Sequence, residues 1–431
     1  MTEYAVSNIF GKCKVDKISV EVPGSKSITN RALLLATLAK GKSKLTNVLF
    51  SDDSRHFLKC LQDLGFETSV DEENKIIEVT GLGGEVPKKE ATIDVGSAGT
   101  AARFLAAYLG VSNGIYHLKS SEQMKKRPMA PLLKSLNELG CQIKCDEKDG
   151  FFPFTLTSHG FNKNKISIDI GSSSQFLSAL MIAMPLSDGI EVDVEGSHGL
   201  AYIHMTRKMM EQFGVEIKVS DERTFILDKK QNYKAFDYTI EPDASAAAYF
   251  YAMAPLLGIS VTVPGLFYNS LQGDVEFLKI LEKMGCAVTE TLEGLKVTGN
   301  KDGKFNGVEY DMSACSDQAI TLSAIAPFAQ SPTLIKGIGH IRLQESDRML
   351  AIVNELKKMG IECQMGEDWI KIYPGNPKPA LISTYEDHRM AMGFSLCGLR
   401  ANGIVIDNPE CCRKTFENYF EVLDCLIAKC I

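Results

Sequence analysis

The segment VPGSKSITNRALLLATLAKG sets Lys26 and Arg31 around a Ser-rich helix start that also carries Ser25 and Ser27. Free N–H groups and the helix dipole favour negative charge at such a start. Two cations and two hydroxyls there suit a phosphate or a carboxylate. The pattern G-x-x-x-x-G-K-[ST] is absent, so a nucleoside triphosphate site is not read here. In DVGSAGTAARF, Gly96 and Gly99 open another helix, with Arg103 one turn on. Glycine lets a ligand approach the backbone closely. The run SSEQMKKRPMAPLL clusters Lys125, Lys126 and Arg127 ahead of Pro128, and GSSSQ offers Ser172, Ser173, Ser174 and Gln175 as neutral donors for a polyhydroxylated ligand or a phosphate. Farther on, Asp317 stands at a helix start, and HIRLQESDR brings Arg342, Glu345, Asp347 and Arg348. Acids of this kind can move protons and the arginines can clamp anions. Glu345 and Arg348 also have the i,i+3 spacing of an ordinary surface pair. His388 and Arg389 enter a mostly apolar helix, where a guanidinium is costly without an anionic partner. Arg413 and Lys414 follow.

The helix-start cations Lys26, Arg31, Arg127, Arg348, Arg389 and Lys414 sit in an acidic chain, with 54 acids against 47 bases and a net charge of −7. That contrast points to a local basic pocket for small polyanions. It argues against a general nucleic-acid binder. No apolar run reaches the roughly 20 residues of a membrane span, and the first residues hold no apolar signal region. The twelve cysteines are scattered without C-x-x-C, which suggests reduced, structural thiols and a cytoplasmic protein. The adjacent Cys411 and Cys412 are read as incidental.

Elements to position these residues recur along the chain. An amphipathic helix, an apolar residue, a Gly and a strand repeat at Gly65, Gly140, Gly214, Gly285 and Gly360, spaced 75, 74, 71 and 75 residues apart. Each Gly fits the position after a helix C-cap, where positive φ ends the helix. Hairpin turns follow, as at Asp149-Gly150, Glu293-Gly294 and Gly366-Glu367. Between these helices lie Ala-rich ones, apolar nearly all round, opened by Ser, Thr or Asp; such helices are buried. The unit is strand, buried helix, strand, surface helix, strand, strand. Six units fit 431 residues, in preference to one solenoid, whose repeats are shorter. The last unit lacks its hairpin, which the N-terminal segment VSNIFGKCKVDKISVEV is expected to supply. That sets domain boundaries near Glu21 and Pro242, giving residues 1–21 plus 243–431 and residues 22–242.

The chain resembles the 5-enolpyruvylshikimate-3-phosphate synthase family of enolpyruvyl transferases. The likeness covers essentially the whole length and rests on PGSKSITNRALLLA, GSAGTAARF, MKKRP, SSSQF, DAS, ESDR, DHRMAM and KTF in the family order. It implies an inside-out α/β fold of two domains, three βαβαββ units each, around a central cleft that holds the active site. It implies transfer of the enolpyruvyl group of phosphoenolpyruvate to the 5-hydroxyl of shikimate 3-phosphate, through a tetrahedral intermediate, with release of phosphate. No cofactor or metal is expected, and a monomer is. By motif position, Asp317 would deprotonate the hydroxyl, Glu345 would protonate the methylene carbon and Lys26 would assist. Shikimate 3-phosphate would be held by Lys26, Ser27, Arg31, Ser173, Ser174, Gln175, Asp317, His340 and Gln344, and phosphoenolpyruvate by Lys26, Gly99, Arg127, Gln175, Arg348, Arg389 and Lys414.

The sequence departs from the family at several positions. Ser97 replaces a common Asn, Gly199 falls roughly at a phosphate-binding Ser for which Ser197 could substitute, His340 replaces Asn, and Gln344 replaces Lys. Gly99 is retained, which implies sensitivity to glyphosate. Of the alternatives, the UDP-N-acetylglucosamine transferase would need a Cys in SSEQMKKRPMAPL, which has none. An RNA-phosphate cyclase would need nucleotide contacts and a catalytic His, neither of which is seen. A catalytically dead binder would not need both Asp317 and Glu345.

Overall fold

The computed structural model describes residues 3–196, 199–221 and 223–431. The chain divides into two compact units, Met1–Pro23 with Glu241–Ile431, and Gly24–Ile240. Each is a set of repeats with one plan. In the repeat that starts at Glu90–Asp94, the helix Gly99–Val111 leads to the parallel strand Asn113–Lys119. The helix Ala130–Glu138 then leads into Gln142–Cys145 and Phe154–His159, which close the sheet antiparallel. Its strand order, first-second-fourth-third, recurs in the other four-stranded sheets of the described residues.

The glycine spacing fixes where the surface helices stop. Gly65, Gly140, Gly214, Gly285 and Gly360 all have positive φ, between 73° and 105°. At Gly65 the backbone N–H donates to the Gln62 carbonyl at 2.9 Å and that of Phe66 to Leu61 at 3.0 Å. This 5→2 and 6→1 pair is a Schellman motif, and the other four glycines make the same pair. A residue with a Cβ would be strained at each of these positions.

The other helices are buried, as their composition requires. Helix Lys26–Leu38 buries every residue from Ile28 onward, and Gly99–Val111 every residue from Gly99 to Gly110. Side-chain caps open several of them: Ser25 accepts from the Ile28 N–H, Asp243 from Ala246 and Asp387 from Arg389. Asp317 lies one turn ahead of its α-helix, in the 3-10 turn Ser316–Gln318 that leads into Ala319–Ile325.

Two arrangements differ from the sequence expectation. The N-terminal segment supplies no hairpin to the last repeat. Glu3–Ala5 pairs antiparallel with Ile404–Asp407 to make a three-stranded sheet, and Lys17–Ser19 joins Ser260–Pro264 in another sheet of the same unit. Between them Val6 and Ile9 bury their side chains, and the N–H groups of Ile9 and Phe10 both donate to the Leu399 carbonyl. That spacing anchors a loop against the end of the helix His388–Gly398. In the other unit the first strand of the repeat containing Lys26 comes from far along the chain. It is Tyr238–Thr239, parallel to Lys40–Thr46.

Candidate active site

In the unit Gly24–Ile240, the starts of the buried helices carry most of the polar groups. Arg31 is 1% exposed; its Nε donates to Thr206 Oγ1 at 2.8 Å and its other nitrogens to the Ser27 and Tyr202 carbonyls. Thr206 donates in turn to Ser178 Oγ at 3.1 Å. Asn30 donates to Thr100 Oγ1, which ties the helix of Lys26 to that of Gly99. Arg103 is also buried; it donates to the Gly99 and Pro128 carbonyls and to Gln175 Oε1 at 3.3 Å. A Cβ built on Gly99 would lie 2.6 Å from Arg103 and 2.7 Å from Arg127, so only glycine leaves room for both guanidiniums. The geometry thus gathers Gly99, Arg103, Arg127 and Gln175 at one point.

Among the described residues, Arg31, Arg103 and Arg127 form no ion pair with any carboxylate. Burial pulls Arg31 down to about 10, and burial followed by the charge of Arg127 pulls Arg103 well below its usual value. Buried charge without a counter-charge is costly, and a bound anion would relieve that cost. Lys26 differs, with Asp53 at 3.4 Å. Lys125 bridges Glu122 and Glu147 on the surface, apart from this cluster.

Ser173 Oγ accepts from the Gln175 N–H, and Ser174 is buried. Gly199 lies against Ser174, where a Cβ would meet Oγ at 2.4 Å, and its φ is +67°. A serine at 199 would therefore clash here, which accounts for the glycine. Ser197, named above as its possible substitute, lies outside the described residues.

In the other unit the acids and bases interlock. Arg348, 1% exposed, donates from Nε to Asp387 Oδ2 at 2.7 Å and from NH1 to Asp317 Oδ1 at 3.0 Å. Arg389 NH2 reaches Asp317 Oδ2 at 2.8 Å. Burial opposes charge on Asp387, but the charge and hydrogen bond of the Arg348 guanidinium together with His388 hold that carboxyl below its usual range. The same pairing raises Arg348 despite its burial. Glu345 faces Lys414 Nζ at 3.4 Å and His388 Nδ1 at 3.0 Å. The i,i+3 pair of Glu345 with Arg348 is therefore not what forms, and Arg342 takes Asp347 instead. His340 Nε2 lies 2.8 Å from Ser316 Oγ, and Gln344 Oε1 accepts from Arg348 at 2.6 Å. The donor atoms of Glu345, Asp387 and His388 lie within 4.8 Å of one another. Lys414 and Arg348 already neutralise the two acids of that cluster.

The unit thus holds carboxylates that can take or give a proton, each beside a cation that can hold an anionic substrate. The sequence reading assigned no part in binding or catalysis to Arg103, Asp53, Asp387 or His388. The signal for Arg103 was its place one turn after Gly99, and for Asp387 its place beside Arg389. Their partners come from distant segments.

A model of the EPSP synthase family, 3-phosphoshikimate 1-carboxyvinyltransferase, matches residues 14–423. The chain belongs to that family. Among its EPSP synthase relatives, the 3-phosphoshikimate 1-carboxyvinyltransferase of Nostoc punctiforme is 44% identical over 93% of this chain and 94% of its own. That of Vibrio atlanticus is 40% identical over 96% and 98%. The crystallised EPSP synthase of Acinetobacter baumannii is 24% identical, superposes with a TM-score of 0.80 and covers 98% of this chain and 97% of its own. That likeness establishes the EPSP synthase fold for this chain, α/β throughout. No helix of the described residues is long and apolar enough to cross a membrane.

Proposed function

We infer that this protein transfers the enolpyruvyl group of phosphoenolpyruvate to the 5-hydroxyl of shikimate 3-phosphate. Family membership supports the reaction. The structural observation that carries the reading is the set of guanidiniums Arg31, Arg103 and Arg127, which no carboxylate of the described residues neutralises. Two phosphorylated substrates supply the missing charge.

Arg127, Gly99, Gln175, Arg348, Arg389, Lys414 and Lys26 hold phosphoenolpyruvate. Ser27, Arg31, Ser173, Ser174, Gln175, Asp317 and Lys26 hold shikimate 3-phosphate, with His340 and Gln344 nearby in role. Asp317 takes the proton of the 5-hydroxyl as its oxygen attacks C2 of phosphoenolpyruvate. Glu345 gives a proton to the methylene carbon, which becomes a methyl. In the second step Glu345 takes a proton back from the methyl, the C2–O bond to phosphate breaks, the leaving phosphate carries away the proton held by Asp317, and the enol ether remains. Charge develops and is lost beside fixed cations, which is where electrostatic stabilisation is strongest. We propose that the protein works in the cytoplasm as a monomer, without a metal or cofactor.

Phosphate release from phosphoenolpyruvate tests the reading. Release with shikimate 3-phosphate and none with UDP-N-acetylglucosamine is expected; the reverse would mean that the acceptor is wrong. Gly99→Ala gives a sharper result. The Cβ meets only the ends of two long side chains, so the variant should fold normally. Displacing a charge-assisted contact should raise KM for phosphoenolpyruvate about tenfold or more, with a smaller change for shikimate 3-phosphate. Glyphosate should compete with phosphoenolpyruvate in the parent and do so less well in this variant. Uninhibited turnover of the parent at high glyphosate would refute the pocket assignment.

A further inference from the structure

Asp317 stands in an unfavourable place for a base. Arg348 and Arg389 each bond one of its carboxylate oxygens, at 3.0 and 2.8 Å. Two guanidiniums on one carboxylate favour its charged form and weaken its hold on a proton. Asp274, in the 3-10 turn Gly273–Glu276, is 5% exposed and lies beside this group. Its Oδ1 accepts from Gln318 Nε2 at 2.9 Å, and Gln318, fully buried, accepts from Thr321 through Oε1 at 3.0 Å. Gln318 is the residue after Asp317, so this bond fixes the turn that carries the carboxylate.

We propose that Asp274 is a positioning residue for the transfer: it holds the Asp317 turn through Gln318, and its charge opposes the two guanidiniums that would otherwise make Asp317 a weak base. The proposal rests on the role of Asp317 given above. Among the described residues, Asp274 interacts with the charged Asp317, Arg389 and Asp243, the last at the cap of helix Ala244–Tyr251, and with the buried Cys315 thiol, which burial and these acids keep protonated. Lys279 on the following helix is taken up by Glu276 at 2.7 Å. Burial first, and then the charge of Asp317, push Asp274 up to about 6. Two carboxyls this close titrate as a pair.

Asp274→Asn tests this, because its amide oxygen can still accept from Gln318 while the charge is gone. Turnover should fall about tenfold or more with KM for both substrates within about threefold. The acid limb of the pH profile should move to lower pH, since the loss of activity that follows as Asp274 takes up its proton near 6 is then absent and only the titration of Asp317 itself remains. Stability should change in the opposite sense. A carboxyl raised above its ordinary value stabilises the fold below about pH 4, and that contribution is lost as pH rises through about 6. The variant should therefore melt above the parent at pH 8 and lose that gain below about pH 4. Lowered turnover with raised KM, a lower melting temperature and an unmoved acid limb would make Asp274 a folding residue and overturn the proposal. So would an unchanged profile. If the parent itself releases no phosphate with shikimate 3-phosphate, the functional reading fails. Asp274 is then decided by carboxyl 13C titration of the parent, as it is if the variant does not fold. Two-step curves shared by Asp274 and Asp317 support the coupling, and independent single-step curves overturn it.

Discussion

Replacing Glu345 by Gln should leave the two substrates bound and nearly abolish turnover. The side chain keeps its size, and its oxygen can still face Lys414, which lies 3.4 Å from Oε1 in the parent. What disappears is a proton that can be given to carbon. Positioned general acids contribute about 10²- to 10⁴-fold to rate, and protonation of a methylene carbon has no easy substitute from water. The expected result is a loss of kcat in that range with Kd for each substrate, measured by calorimetry, within a few-fold of the parent. Full activity would remove Glu345 from the chemistry. Equal losses of binding and turnover would make it a structural partner of Lys414 and His388 instead.

The largest effect on stability should come from Arg348→Met. The methionine fills much of the space but leaves Asp387, fully buried, and Asp317 without the guanidinium that bonds both. Removing one partner of a buried ion pair costs about 3–5 kcal/mol. For a unit of this size that corresponds to a drop of roughly 10 °C in melting temperature. The pH dependence gives the cause away. Asp387 is held below its usual range, so its pairing stabilises the parent above about pH 4 and fades as pH falls through the lower folded value. The deficit of the variant should be greatest near neutrality and shrink in acid, as the abandoned carboxyls take up protons. A deficit independent of pH would point to lost packing alone. Thermal melts at pH 7 and pH 4 distinguish the two.

The features that could be read from sequence are those written in local chemistry. A surface helix that ends in an apolar residue and a Gly must stop there, and the same helix ending five times over reveals the repeat. Ser25, Asp243 and Asp387 could be read as helix openers because a cap involves only the next few residues. Pairings between distant segments leave no such mark. Tyr238–Thr239 is too short to show a strand period, yet it begins the sheet of Lys40–Thr46. The N-terminal segment has strand-like residues, but Val6 and Ile9 are spaced as loop anchors, so the expected hairpin does not form. Arg348 invited pairing with Glu345 by spacing, and its partner proved to be Asp387, 39 positions away. Asp274 carries no local signal at all; only the fold brings it to Gln318.

The central claim is that the enolpyruvyl group moves to a hydroxyl rather than to water. The direct measurement is 13C NMR of phosphoenolpyruvate labelled at C2, mixed with shikimate 3-phosphate and the protein. Transfer predicts a new enol ether carbon that is coupled through the ether oxygen to the proton on C5 of the shikimate ring, with one inorganic phosphate for each ether formed. Labelled pyruvate appearing with phosphate, and no ether, would contradict the account and make the protein a hydrolase of phosphoenolpyruvate.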